Sequence, residues 1–237
     1  MQGYSRKQLK EDRFVESAQG AAEWAAGHQR MLIWSISSAI VVGLLVWGFI
    51  NWRGHQIEQA NIALGAAMRT FNAPLRPAGA PASDKNAGFA SNVERAKAAE
   101  KQFQSAADKY SLTKAGKIAR YMEGVAAMDA GDKDAEQKLK TAADSSDKEV
   151  AGLAKMALGN YYRNSNRQSD AVRVYKEIAE HPTETVSKAE AQLQLAGVYE
   201  TTDPQQATAL YHEILKEDPT GPAAQAATAR LSGGQQR

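Results

Sequence analysis

The chain has 237 residues, no cysteine, and 29 basic against 27 acidic side chains, a net charge of +2. Without cysteine there is no disulfide, no thiolate chemistry and no cysteine-ligated zinc. A charge this balanced makes no single-sign field of the kind that draws nucleic acid. Beyond one apolar run, the chain has room for one domain of roughly 170 residues; it is rich in alanine and glutamine and poor in β-branched residues, which favours helices.

Residues 1–30 mix charges with Leu9, Phe14, Val15, Ala22 and Trp24. The pattern predicts one or two short amphipathic helices near a membrane surface. Residues 31–50, from Met31 to Ile50, contain no charge and no proline. As a helix this stretch is about 30 Å long, the thickness of a bilayer's hydrocarbon core. Arg30 and Arg53 close it at the two ends, with Trp24 and Trp34 at the front and Trp47 and Trp52 at the back. Amphipathic rings favour the headgroup level, so these residues predict two interface belts. The competing reading, a buried helix of a soluble core, has no second apolar segment to cover it. A cleaved signal peptide would have a shorter apolar stretch and a small-residue cleavage site, so an uncleaved anchor is expected. The first thirty residues hold five basic side chains and residues 51–80 hold three. By the positive-inside rule the N-terminus is expected inside and the larger part outside the cytoplasmic (inner) membrane of a bacterium, on the periplasmic side.

Residues 51–232 read as one helical domain. Residues 51–71 keep a helical pattern through Ile57, Ile62, Leu64, Ala67, Met68 and Phe71, so the span is expected to continue as one long helix. Residues 72–90 hold Pro74, Pro77 and Pro81 among small residues and read as a loop. A period follows. Ala99, Ala135, Ala171 and Ala207 stand 36 residues apart, with Phe103, Leu139, Tyr175 and Tyr211 four residues after each and Ala106, Ala142, Ile178 and Ile214 three further on. The i, i+4, i+7 spacing puts each set on one face of a helix. Ahead of each set stands a small residue in a helical stretch: Gly65, Gly124, Gly159 and Ala196, the last two followed by Tyr162 and Tyr199. A small side chain there lets two helices approach closely. Pro182, Pro219 and Pro222 break the chain between units, and residues 222–231 read as a lone helix capping the last pair. Residues 233–237 are expected to be a polar tail.

These columns resemble the tetratricopeptide repeat, whose pattern joins Leu-Gly, a tyrosine three residues on, an Ala-x-x-x-Phe second helix and a closing proline at a period near 34 residues. The third unit (Leu158, Gly159, Tyr162, Ala171, Tyr175, Pro182) and the fourth (Leu195, Ala196, Tyr199, Ala207, Tyr211, Pro219) carry the pattern. The second lacks the tyrosine and the proline, and the first is interrupted by residues 72–90. The resemblance implies an all-α solenoid of about four helix pairs, with a concave side lined by the first helix of each pair. On that register the lining includes Tyr121, Val125 and Met128, then Met156, Asn160 and Arg163, then Leu193 and Glu200. Such a mixture of apolar, amide and charged groups suits an extended peptide or a partner helix. The family's carboxylate clamp would have only Asn160 and Arg163 here, and is not expected.

The whole layout, with Trp52, Arg53, His55 and Gln56 just behind the span, is similar to the family of the bacterial ancillary SecYEG translocon subunit, whose domain is shared with a cell-division coordinator. This implies a non-enzymatic, membrane-anchored scaffold whose partners are translocon subunits and periplasmic chaperones. A structural adaptor within an envelope complex (cell division, cytochrome assembly or energy transduction) is the other class the layout allows. No nucleotide and no cofactor is expected. Residues Leu231 to Arg237 do spell the ABC-transporter ATPase signature motif, but that motif acts with a phosphate loop, and no G-x-x-x-x-G-K-S/T occurs in the chain. A glycine-rich helix end is expected instead. His28, His55, His181 and His212 include no two histidines at helical metal-ligand spacing.

Overall fold

A computed structural model describes residues 26–77 and 88–234. The tail expected over residues 1–30 falls mostly outside them, as do Trp24 and the middle of the proline-rich loop. Among the described residues the architecture is all-helical, with nine helices: α1 (Gln29–Phe71), α2 (Asn92–Lys109), α3 (Lys114–Ala130), α4 (Ala135–Ala143), α5 (Lys148–Asn164), α6 (Gln168–Glu180), α7 (Lys188–Thr202), α8 (Pro204–Glu217) and α9 (Pro222–Gly234). They divide into two units, residues 1–55 and 56–237.

In the first unit α1 carries the apolar run. It is long and apolar enough, by length and composition, to cross a membrane, and none of that window is buried. Trp34 is 77% and Trp47 68% exposed. From Trp34 to Trp52 the helix rises about 27 Å, close to the span of a hydrocarbon core. The ring of Phe49 tilts against that of Trp52 at 6.1 Å. Arg30 and Arg53 are exposed.

In the second unit each helix from α2 onward packs on the next, with further contact between α3 and α5 and between α7 and α9. Their ends follow ordinary capping chemistry. The Ser91, Thr113 and Ser187 hydroxyls accept from the backbone N–H three residues on, and Asp147 and Asp203 cap α5 and α8 with a carboxylate. Pro204 opens α8, where a missing N–H is harmless. Gly131 ends α3 in the left-handed region at φ 69°.

The 36-residue columns form the core. Ala99, Ala135, Ala171 and Ala207 are buried, and so are Phe103, Leu139, Tyr175 and Tyr211. The small residues of the facing helices are required by distance. A Cβ at Gly124 would lie 2.7 Å from Leu139 Cδ2, and one at Gly159 would lie 2.4 Å from Tyr175 Cε1. The large residue of one helix thus sits on the glycine of its partner in both pairs, and Ala196 is fully buried in the next.

The first pair departs from the expected register. Gly65 has only Arg69 of its own helix nearby, at 3.7 Å. The face of α1 that packs is instead Ala60, Ala67 and Phe71. Ala67 meets Ala99 and Phe103, the Phe71 and Phe103 rings stand edge-on at 6.1 Å, and Ala60 meets Tyr110 and Ala115. A bulky phenylalanine in α2 is accommodated by alanine and an aromatic edge, so no glycine is needed opposite it. The ends of the proline-rich loop are tied together by a parallel bridge between Leu75 and Phe89, and Gly88 turns there at φ 83°. At the C-terminus α9 covers the last pair, as expected of a cap: Ala224, Ala227 and Leu231 pack with Tyr211 and Ile214. It continues through Gly234, beyond the boundary expected at residue 232.

Candidate binding surface

The residues expected to line a groove do not all reach solvent. Tyr121 and Val125 of α3 are half-buried and pack against the cluster that holds Leu139, Met156 and Leu158. Met156 is only 8% exposed. This corrects its expected place among groove residues: it is core, because α3 and α5 lie against each other there. Met128 is half-buried. Leu193 of α7 packs with the cluster of the last pair.

The polar members are engaged within the chain. Asn160 Oδ1 accepts from the Tyr175 hydroxyl at 2.8 Å, Arg163 Nη1 donates to Gln194 Oε1 at 2.8 Å, and Glu200 Oε1 accepts from the Tyr211 hydroxyl at 2.8 Å. Arg230 of α9 also pairs with Glu200 at 3.1 Å. Burial pushes the Tyr175 phenol up to about 12, and burial with the Glu200 carboxylate pushes Tyr211 higher still. Both hydroxyls therefore remain donors at neutral pH. The large column residue of a second helix thus reads a polar residue on its first helix, Asn160 one residue beyond Gly159 and Glu200 four beyond Ala196. Arg163 and Glu200 remain exposed at their tips, so they present a cation and an anion that are oriented in advance. A cavity of about 780 Å³ adjoins Glu200, lined also by Pro204, Thr208, Tyr211, His212 and Arg230 among others.

Two carboxylates that the repeat columns do not single out are engaged within the chain. Glu136 of α4 accepts from the Tyr162 hydroxyl at 3.0 Å and pairs with Lys140 and Arg167 at 2.8 and 2.7 Å. The Arg167 guanidinium also lies 4.4 Å from the Tyr162 ring centre. The Lys140 ammonium above all, then Arg167 and Tyr162, hold the Glu136 carboxyl well below its ordinary 4.5, at about 2. A lowered acid stabilises the fold where it is ionised in both states and loses that contribution as pH falls. Glu136→Gln is therefore expected to lower the melting midpoint above pH 4.5, with the difference from wild type closing as pH approaches 2; melts of both proteins across that range check it. Glu123 of α3 is 2% exposed and pairs with Arg120 at 2.7 Å.

Among the described residues no group of acidic or histidine side chains could hold a metal ion. A comparison of the chain with models of known families, with curated proteins and with solved structures found no match.

Proposed function

We propose that the chain is a membrane-anchored, non-enzymatic protein-binding scaffold built on tetratricopeptide-like helix pairs. The observation that carries this reading is the joining of two features in one helix. The large apolar side chains described in residues 31–50 of α1 are exposed, and residues 56–71 of the same helix supply Ala60, Ala67 and Phe71 to the core of the helix-pair unit. An anchor of this kind confines the surface of α3, α5 and α7 to the neighbourhood of a bilayer, which raises its effective concentration for membrane-borne partners. The buried glycines Gly124 and Gly159, each lying under a large residue of the 36-residue column, Leu139 and Tyr175, support the tetratricopeptide-like reading.

The task the layout favours is assistance to secreted or periplasmic proteins at the translocon, with the N-terminus in the cytoplasm and the helix pairs outside. The exposed Arg163 and Glu200 would contact clients, with the half-buried Tyr121, Val125, Met128 and Leu193 beside them. Purification of the full chain from gently solubilised source membranes, with partners identified by mass spectrometry, tests this. Translocon subunits together with periplasmic chaperones are expected. A single stoichiometric complex without translocon subunits would replace the reading by that of an envelope-complex adaptor, which holds one folded partner through a large interface.

A further inference from the structure

The turn between α2 and α3 carries Leu112, which is 82% exposed, more than any other large apolar side chain among the described residues, the apolar run of α1 included. The turn does not need it there. Tyr110 and Ala115 anchor the turn against Ala60 and Leu64 of α1. Thr113 caps α3 by accepting from Gly116 N at 3.0 Å. A Cβ at Gly116 would fall 1.9 Å from the Tyr110 carbonyl oxygen, so the turn is packed as tightly as a glycine allows. Leu112 is thus held out on a rigid turn.

The chain on either side of it is basic, with Asp108 just before this stretch paired to Arg120. Residues 109–117 hold Lys109, Lys114 and Lys117 and no acidic side chain. Among the described residues neither Lys109 nor Lys114 forms an ion pair, and Lys117 donates to the Ser146 hydroxyl. The turn packs on Ala60 of α1, and Ile57, one turn before Ala60, is 43% exposed.

We propose that this turn docks on an anionic lipid surface, with Leu112 entering the headgroup boundary and Lys109, Lys114 and Lys117 facing lipid phosphates. An apolar side chain flanked by lysines is what such a boundary accepts, since the ammonium groups meet anionic headgroups while the isobutyl group leaves water. The inference rests on the reading that residues 31–50 cross the bilayer.

The test uses the full chain, whose lack of cysteine lets a single introduced thiol carry a fluorophore. Ser111→Cys places it beside Leu112, Val46→Cys in the apolar run, and Gln225→Cys on α9. Each protein is reconstituted in vesicles of phosphatidylcholine, with or without an equal part of phosphatidylglycerol, containing lipid spin-labelled near the headgroup. Quenching at Ser111→Cys well above that at Gln225→Cys is expected in the anionic vesicles. Lys114→Gln should lower the docked-to-undocked ratio about fivefold, and Leu112→Ser should abolish the excess. Quenching at Val46→Cys with none above background at Ser111→Cys would overturn the docking and leave the anchor standing. No quenching at either position would overturn both. A fluorophore at Ser111→Cys that is shielded from water yet unquenched by lipid would assign the turn to a protein partner and also overturn the proposal.

Discussion

Gly159→Val is expected to destabilise the helix pairs by about 3 kcal/mol, the upper part of the usual range for overpacking a filled core. The first atom added already meets the Tyr175 ring, 2.4 Å from Cε1 and 2.8 Å from Cζ. That ring cannot swing away cheaply. Tyr175 is fully buried, and its hydroxyl is fixed on Asn160 at 2.8 Å. For a unit of this size such a loss lowers the melting midpoint by roughly 6–12 °C, which a thermal melt of the full chain in detergent micelles reads directly. Gly197 in α7 is the control. A Cβ there meets nothing closer than Arg163 Nη1 at 3.8 Å, so Gly197→Ala should gain about 0.5–1 kcal/mol from helix propensity and reduced freedom of the unfolded chain. A neutral Gly159→Val would mean that α5 and α6 are not in contact at this point, and the packing described above would be wrong.

The second large effect concerns charge. Arg120→Met is expected to cost about 2 kcal/mol at neutral pH, because it leaves Glu123 buried without its cation. The figure lies below that for a fully enclosed pair because the Arg120 side chain is 28% exposed and shares itself with Asp108. Burial already pushes the Glu123 carboxyl up from its ordinary 4.5, against the pull of Arg120 and Lys138. Removing the guanidinium pushes it further. An acid raised in the folded state binds its proton more tightly there, so the penalty is present above the raised value and shrinks as pH falls towards 4.5. The melting deficit of the variant should therefore narrow on acidification already above pH 4.5, whereas that of Glu136→Gln persists there and closes only as pH approaches 2. Arg120→Met combined with Glu123→Met should recover most of the loss, since two apolar side chains of similar volume replace the pair without stranding a charge.

The sequence showed the second-helix faces well and the first-helix faces poorly. Ala171, Tyr175 and Ile178 lie on one stripe of α6 and are all buried, because a second helix packs on one side and its apolar spacing says which. The glycines opposite were legible for the same reason: only a missing Cβ explains Gly124 or Gly159 in the middle of a helix. First helices touch neighbours on more than one side. In α7 Gln192 is buried, its Nε2 donating to Glu213 at 2.8 Å. An apolar stripe does not find such a position, and Met156 was misplaced for the same reason. The first pair was misread at Gly65 because α1 continues a helix already set by its apolar run. Its phase is inherited from there rather than from the repeat. Asn160 and Glu200 were legible as polar residues on first helices. That the Tyr175 and Tyr211 hydroxyls already occupy them was not, since a pairing across two helices leaves no mark in local spacing.

From α2 onward, helices pack mainly on their neighbours in the chain, with further contacts of α3 with α5 and of α7 with α9 and side-chain bridges from Lys138 of α4 to Glu100 of α2 and from Arg163 of α5 to Gln194 of α7. This gives the molecule a mechanical polarity. With one end held in a bilayer and load applied at the other, force passes through every interface in series, and α9, with the fewest supports, carries it first. Structure built this way yields from the free end inward, one layer at a time. A partner that pulled on the C-terminus would lengthen the chain in steps without loosening the pair rooted on α1.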